Sequence, residues 1–222
     1  MTISVTNTND DGPGSLRQAL TTANNGDTID FAVTGTITLT SGGLAINKNI
    51  TISGPGADQL SIDGNQALLV FGVFPGSATT ISGLTTRNAQ FGVVNERTLA
   101  VINCVPTTNS YDGLFNQGGV VAVSSCVITE NLYDGLYSYD GETTVSNSVV
   151  NGNAGGGLFN YVHSGPNNPI AGLGSMTVSD TIISDNGGPG VWNYSFLTIF
   201  RCTLSDNSAG EALDGGGIRS GT

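Results

Sequence analysis

The chain has 222 residues, the length of one domain or slightly more, with 33 Gly, three Cys, 10 % charged residues and a net charge of −11. Six Lys plus Arg against 17 Asp plus Glu exclude partners held mainly through phosphate contacts, nucleic acid first, and equally an anionic membrane surface. No apolar run reaches the length of a membrane-spanning helix, and three cysteines cannot all pair as disulfides.

Residues 1–34 read as an N-terminal cap. Ser15 followed by Gln18 has the form of a capping box and predicts a short helix over about 16–24, with Leu16, Ala19, Leu20 and Ala23 on one face. Residues 35–77 read as irregular first coils. Thr28–Phe31, Thr36–Thr40, Asn49–Ser53 and Leu60–Ile62 alternate like strands, punctuated by Asn25-Gly26, Gly42-Gly43 and Gly54-Pro55-Gly56.

From 78 to 222 the chain repeats. Asn88, Asn109, Asn131, Asn153, Asn186 and Asn207 recur mostly at steps of 21 or 22 residues, and five are followed four residues later by Gly92, Gly113, Gly135, Gly157 and Gly190. The step from Asn153 to Asn186 is 33, one repeat plus an insertion placed at 161–175. Each Gly precedes an aliphatic residue (Val93, Leu114, Leu136, Leu158, Val191, with Ile218 after Gly217), and a second apolar column runs through Ile81, Val101, Val123, Val145, Val178 and Ile199. No repeat can bury its own apolar face, so stacked coils about 4.8 Å apart must share one core. The expected fold is a single all-β domain over 1–222, a right-handed single-stranded parallel β-helix with an N-terminal capping helix. The Asn column is expected at a stacked turn, because Asn tolerates the left-handed region and identical amides can bond along the stack. The last coil, ending near Gly217-Ile218-Arg219-Ser220, shows no capping device, so this end is expected to continue or to stack on another chain.

The segment Val5 to Leu20, with Gly35 to Thr40 and Ile50 to Ala57, resembles the start of secreted bacterial β-helix proteins of the adhesin and autotransporter type. The later Asn-x-x-x-Gly repeats are similar to the parallel β-helix repeats of the pectate-lyase-like superfamily. The resemblance implies an extracellular or cell-surface setting, to which the low Lys content also points. No export signal precedes Thr2, and Met1 is read as replacing a removed one.

Strand alternation predicts one aromatic face. With the post-Gly aliphatics inward, Phe115, Tyr137, Phe159 and Trp192 point outward in one column, and Tyr139, Tyr161 and Tyr194 in the next, with Tyr111 and Tyr133 just before the same strand. Stacked rings suit the apolar faces of sugars; they could equally pack against another protein chain or only strengthen the sheet. Asp112 and Asp134 occupy equivalent positions before Gly113 and Gly135. They resemble in part the catalytic carboxylates of polygalacturonases, but Gly155-Gly156-Gly157 stands where that family has Gly-His-Gly, and Val191-Trp192-Asn193 where it has Arg-x-Lys. Two carboxyls on neighbouring strands would hold one another's pKa values apart, as a glycosidase requires; Asp before Gly is also an ordinary turn residue. No cofactor is expected. Ca²⁺ is a weaker alternative, with Asp140 or Glu142 as further donors to Asp112 and Asp134. Cys104, Cys126 and Cys202 share a register with Leu84, Ser148 and Thr181 and read as small buried side chains, and His163 as a loop residue in the insertion.

The expected function is a non-enzymatic extracellular module presenting the aromatic strip to polysaccharide or protein. The alternatives are a polysaccharide-acting enzyme using Asp112 and Asp134, and a structural subunit assembling through the strip or the open C-terminal end.

Overall fold

The computed structural model describes residues 1–163, 174–209 and 216–221. Among the described residues, strands of three to five residues alternate among three sheets; the first coil, which carries the helix, gives a strand to one sheet only, and each later coil gives one to each. Sheet A has nine strands from Thr2–Val5 to Phe196–Phe200; sheet B has eight from Gly35–Thr38 to Thr203–Ser205; sheet C has eight from Leu44–Ile46 to Ile218–Ser220. Neighbours such as Thr98–Ile102 and Val120–Ser124 pair in parallel. The result is the expected right-handed parallel β-helix.

The core follows from period-2 alternation. Ile81, Val101, Val123, Val145 and Val178 stack in register inside sheet A, and Val93, Leu114, Leu136, Leu158 and Val191 inside sheet C, all essentially inaccessible to solvent. Neighbouring coils continue these columns at strand spacing, so the inner faces of all the coils share one core. The helix forms over Leu16–Thr22, shorter than expected, with the Ser15 hydroxyl accepting the Gln18 N–H at 3.2 Å. Its Leu16, Ala19 and Leu20 are buried. Asp10 fastens this cap to the first coil. Burial opposes its ionisation, yet hydrogen bonds from Ser41, Arg17 and Thr40 hold the carboxyl well below the usual range.

Three polar stacks thread the interior. In the first, the amide of Asn109 donates to Asn131 (3.0 Å), Asn131 to Asn153 (2.9 Å), Asn153 to Asn186 (2.9 Å) and Asn186 to Asn207 (2.7 Å). Each Oδ1 also accepts the backbone N–H of the preceding ladder Asn, as Asn153 does from Asn131 at 3.2 Å. Asn88 is not part of it. Register pairs Arg87 with Thr107, so Ala89 lies beside Asn109 and donates its N–H to that amide at 3.2 Å. Asn88 sits one residue earlier, bonded to Asp63. The left-handed turn position is likewise the residue before the ladder: Asn88, Thr108, Glu130, Asp185 and Asp206 have φ of 52–57°.

The ladder explains the glycines. A Cβ on Gly135 would lie 2.7 Å from the Gly157 carbonyl and 2.8 Å from Asn153 Nδ2, and one on Gly113 would meet Gly135 O and Asn131 Nδ2 at 2.8 Å. These glycines have ordinary φ and are required by close approach of the next coil. A second stack joins Asn95 to Asn116 (2.8 Å) and Asn160 to Asn193 (2.7 Å), with Ser138 and Thr143 between them. The third runs Cys104, Cys126, Ser148, Thr181 through backbone N–H bonds to the next coil's Sγ or Oγ. Both of these cysteines are free thiols, pushed up by burial to about 12 and about 11.

Asn131→Ala should cost about 2–4 kcal/mol, since it strips partners from buried amides on two neighbouring coils. Gly135→Ala should cost a similar amount through overpacking. Gly118→Ala, at φ 69° with nothing within 4 Å of its Cβ, should cost only about 1 kcal/mol. Denaturant unfolding of the three variants checks the ranking.

Candidate functional site

Sheet C carries the candidate site on its outer face. Register places Val94, Phe115, Tyr137, Phe159, Trp192 and Arg219 in one column and Gln117, Tyr139 and Tyr161 in the next. Centroids along the first column are 5.3, 4.8 and 5.1 Å apart, and the Arg219 guanidinium lies 4.9 Å from the Trp192 ring. Tyr139, Tyr161 and Tyr194 continue beside it at 5.6 and 5.7 Å. All seven predicted aromatics are therefore brought together, each half-buried by its neighbours. Such ring pairs contribute about 0.5–1.5 kcal/mol each beyond area burial, so part of the strip's packing serves the sheet itself. The Trp192 Nε1 is buried without a hydrogen-bond partner.

Two further features extend the face. Tyr111 and Tyr133 stack at 4.7 Å with 10° between ring planes, and stay 45 % and 54 % exposed. Phe91, which the spacing argument passed over, joins this pair to the strip: its ring is 5.5 Å from both Tyr111 and Phe115. In its coil Gly92 follows the ladder position Ala89 by three residues rather than four, so it falls out of the Asn-to-Gly spacing, though its place before Gly92 matches that of Asp112 before Gly113.

Asp112 and Asp134 lie between the two aromatic groups. Asp112 is only 3 % exposed and its Oδ1 accepts the Asp134 N–H at 3.0 Å. Asp134 is half-buried and accepts the Gly156 N–H at 2.6 Å. Burial, then repulsion from Asp134, pushes the Asp112 carboxyl up to about 7 against that one hydrogen bond. Burial pushes Asp134 up to about 6. Burial first, then the surrounding tyrosines and both carboxylates, raises the Tyr137 phenol to about 12. The site thus holds a pair of carboxyls that exchange protons near neutrality beside an apolar face. Asp134 is the more accessible of the two; Asp112 lies beneath the surface.

The calcium donor set is not assembled. Asp140 follows the strand Leu136–Tyr139 whose other end adjoins Asp134, about 15–20 Å away along the chain, and accepts the His163 N–H. Glu142 begins a strand of sheet A. Among the described residues no three His, Cys, Asp or Glu side chains converge as a metal site. Most of the predicted insertion 161–175 lies outside the described residues.

Because both carboxyls titrate above their unfolded values, their ionisation destabilises the fold, and stability present at low pH is lost as pH rises through about 6–7. Asp112→Asn keeps the acceptor for the Asp134 N–H and removes the buried charge. It should stabilise the protein by about 2 kcal/mol at pH 8, with the gain shrinking toward pH 5; melting curves at the two pH values read this directly.

No family model and no curated protein sequence matches the chain. Solved structures do. An alginate lyase from a Paenibacillus species superposes with TM-score 0.58 at 13 % identity, over 92 % of this chain and 98 % of that one. A pectate lyase gives 0.56 at 14 % identity, over 100 % and 78 %. The A-module of a mannuronan C-5 epimerase from Azotobacter vinelandii gives 0.55 at 16 % identity, over 86 % and 70 %. At these identities the likeness is one of fold: the chain shares a parallel β-helix architecture with these proteins.

Proposed function

We propose that this protein is an extracellular polysaccharide-binding β-helix whose aromatic face takes a glycan chain. The observation that carries the reading is the continuous ring array from Phe115 to Trp192 and from Tyr139 to Tyr194, on the outer face of a rigid sheet. Rings spaced by one coil give a ladder of apolar platforms for sugar faces, with tyrosine hydroxyls at their edges. The proteins similar in fold are named for alginate, pectate and mannuronan, which supports the ligand class. Net charge −11, with one Arg on the strip, favours a neutral glycan over a polyuronate.

A second reading is that the protein also acts on its glycan. The raised carboxyl of Asp134, within reach of Tyr137 and set between two aromatic platforms, favours it. In that reading Asp134 is the proton donor or acceptor and Asp112 tunes it from beneath. Neither reading requires a cofactor. A protein partner on the strip is the remaining alternative.

Titration of Trp192 fluorescence with soluble neutral polysaccharides tests the binding reading. A saturable shift is expected, unaffected by a calcium chelator; Trp192→Ala, which removes the chain's one tryptophan and so is read by calorimetry, should weaken binding about tenfold or more. An unresponsive signal in a protein that sediments as an oligomer would transfer the strip to an assembly interface. For the second reading, new reducing ends or an unsaturated product should appear on incubation and be lost in Asp134→Asn. Their absence, with binding intact, leaves the protein a binder alone.

A further inference from the structure

A groove at the corner between sheets B and C lies outside the strip. Gln66, Asn88, Gln90, Ser110, Thr108 and Leu132 line it, over about 460 Å³. None of these side chains is charged, and carboxamides and hydroxyls dominate. Its mouth adjoins the Tyr111–Tyr133 pair: Gln90 and Ser110 directly precede Phe91 and Tyr111 in sequence, and Leu132, 63 % exposed, precedes Tyr133. A flat pair of exposed rings beside a groove of neutral hydrogen-bonding groups is the combination that a sugar, apolar on its faces and hydroxylated at its rim, would recognise. Asp112 and Asp134 then stand at a junction, with the strip on one side and Tyr111, Tyr133 and the groove on the other.

Resting on the proposed glycan binding, we infer that the groove and the Tyr111–Tyr133 pair form a second subsite for a neutral glycan. One chain occupies both subsites and crosses the Asp112–Asp134 pair between them. The protein therefore engages the interior of a long chain, and neither subsite alone holds it fully. The polar groove sets which hydroxyl pattern is accepted, since carboxamides left unpaired by a wrong epimer are penalised more than a ring contact is rewarded.

Length dependence separates this from strip binding alone. Affinities would be measured by calorimetry for cello-, manno- and xylo-oligosaccharides from disaccharide to octasaccharide, on the intact chain and on Tyr133→Ala, Gln90→Ala and Trp192→Ala. The intact chain should show a second rise in affinity once the oligosaccharide is long enough to pass the carboxylates. Tyr133→Ala and Gln90→Ala should erase that rise, by about tenfold for the longest ligand, while leaving short-ligand binding unchanged; Trp192→Ala should weaken every length. Long-ligand affinity unaltered in both groove variants, with Trp192→Ala still impaired, would overturn the second subsite and leave the strip reading standing. Absence of binding by every oligosaccharide in the panel would overturn both. Because Gln90 and Tyr133 are exposed, a folding defect is not expected, and unchanged melting of the variants verifies that.

Discussion

The fold depends on one recurring contact: an asparagine amide of one coil pressed against a glycine of the preceding coil. The amide needs partners, and it finds them in the amides and backbone of the coils on either side and in a carbonyl of its own coil, as Asn131 does with Asn109, Asn153, Pro106 and Thr129. It also needs room, which Gly113 and Gly135 provide by having no Cβ. An interior at strand spacing therefore accommodates a line of asparagine amides where a second line of missing side chains runs beside it. Strand register, turn position and coil length all follow from keeping those two lines adjacent. The Asn95–Asn116 stack repeats the solution at another corner, with Gly119 and Gly141 beside its amides.

That contact also explains how much the sequence discloses. Its periodicity is visible because Asn and Gly recur at a fixed separation, and the outward aromatics follow by alternation from Leu114, Leu136 and Leu158. Asn88 misleads because it matches the residue type while the register gives its place to Ala89. The left-handed position is hidden for the opposite reason: Thr108, Glu130 and Asp185 share a backbone conformation and no side-chain chemistry. Asn95, Asn116, Asn160 and Asn193 lie two residues beyond the inward aliphatics, so alternation already turns them inward. Attention to the aromatics flanking them conceals it.

The site was legible as composition and not as environment. Residue identities place two carboxyls before two glycines; they do not reveal that Asp112 is buried while Asp134 stays half-open. That difference arises from the coil above, where Gly155 and Gly156 leave Asp134 a backbone donor and little cover. A rigid scaffold can hold such a destabilising pair because its stability is spread over many coils, each contributing through nearest neighbours.

The direction of the ladder has a consequence of its own. From Asn109 to Asn186 every amide nitrogen donates toward the higher-numbered coil, and Asn95 and Asn160 in the second stack donate the same way. Sheet hydrogen bonds alternate in sense and largely cancel, whereas these side-chain dipoles add, each polarising the next. The solenoid is thus an electrically polar rod, with its positive pole toward Asn207. A coil that packs on Asn207 must therefore present an acceptor oxygen to the ladder, so the ladder can be extended beyond that residue in a single orientation only.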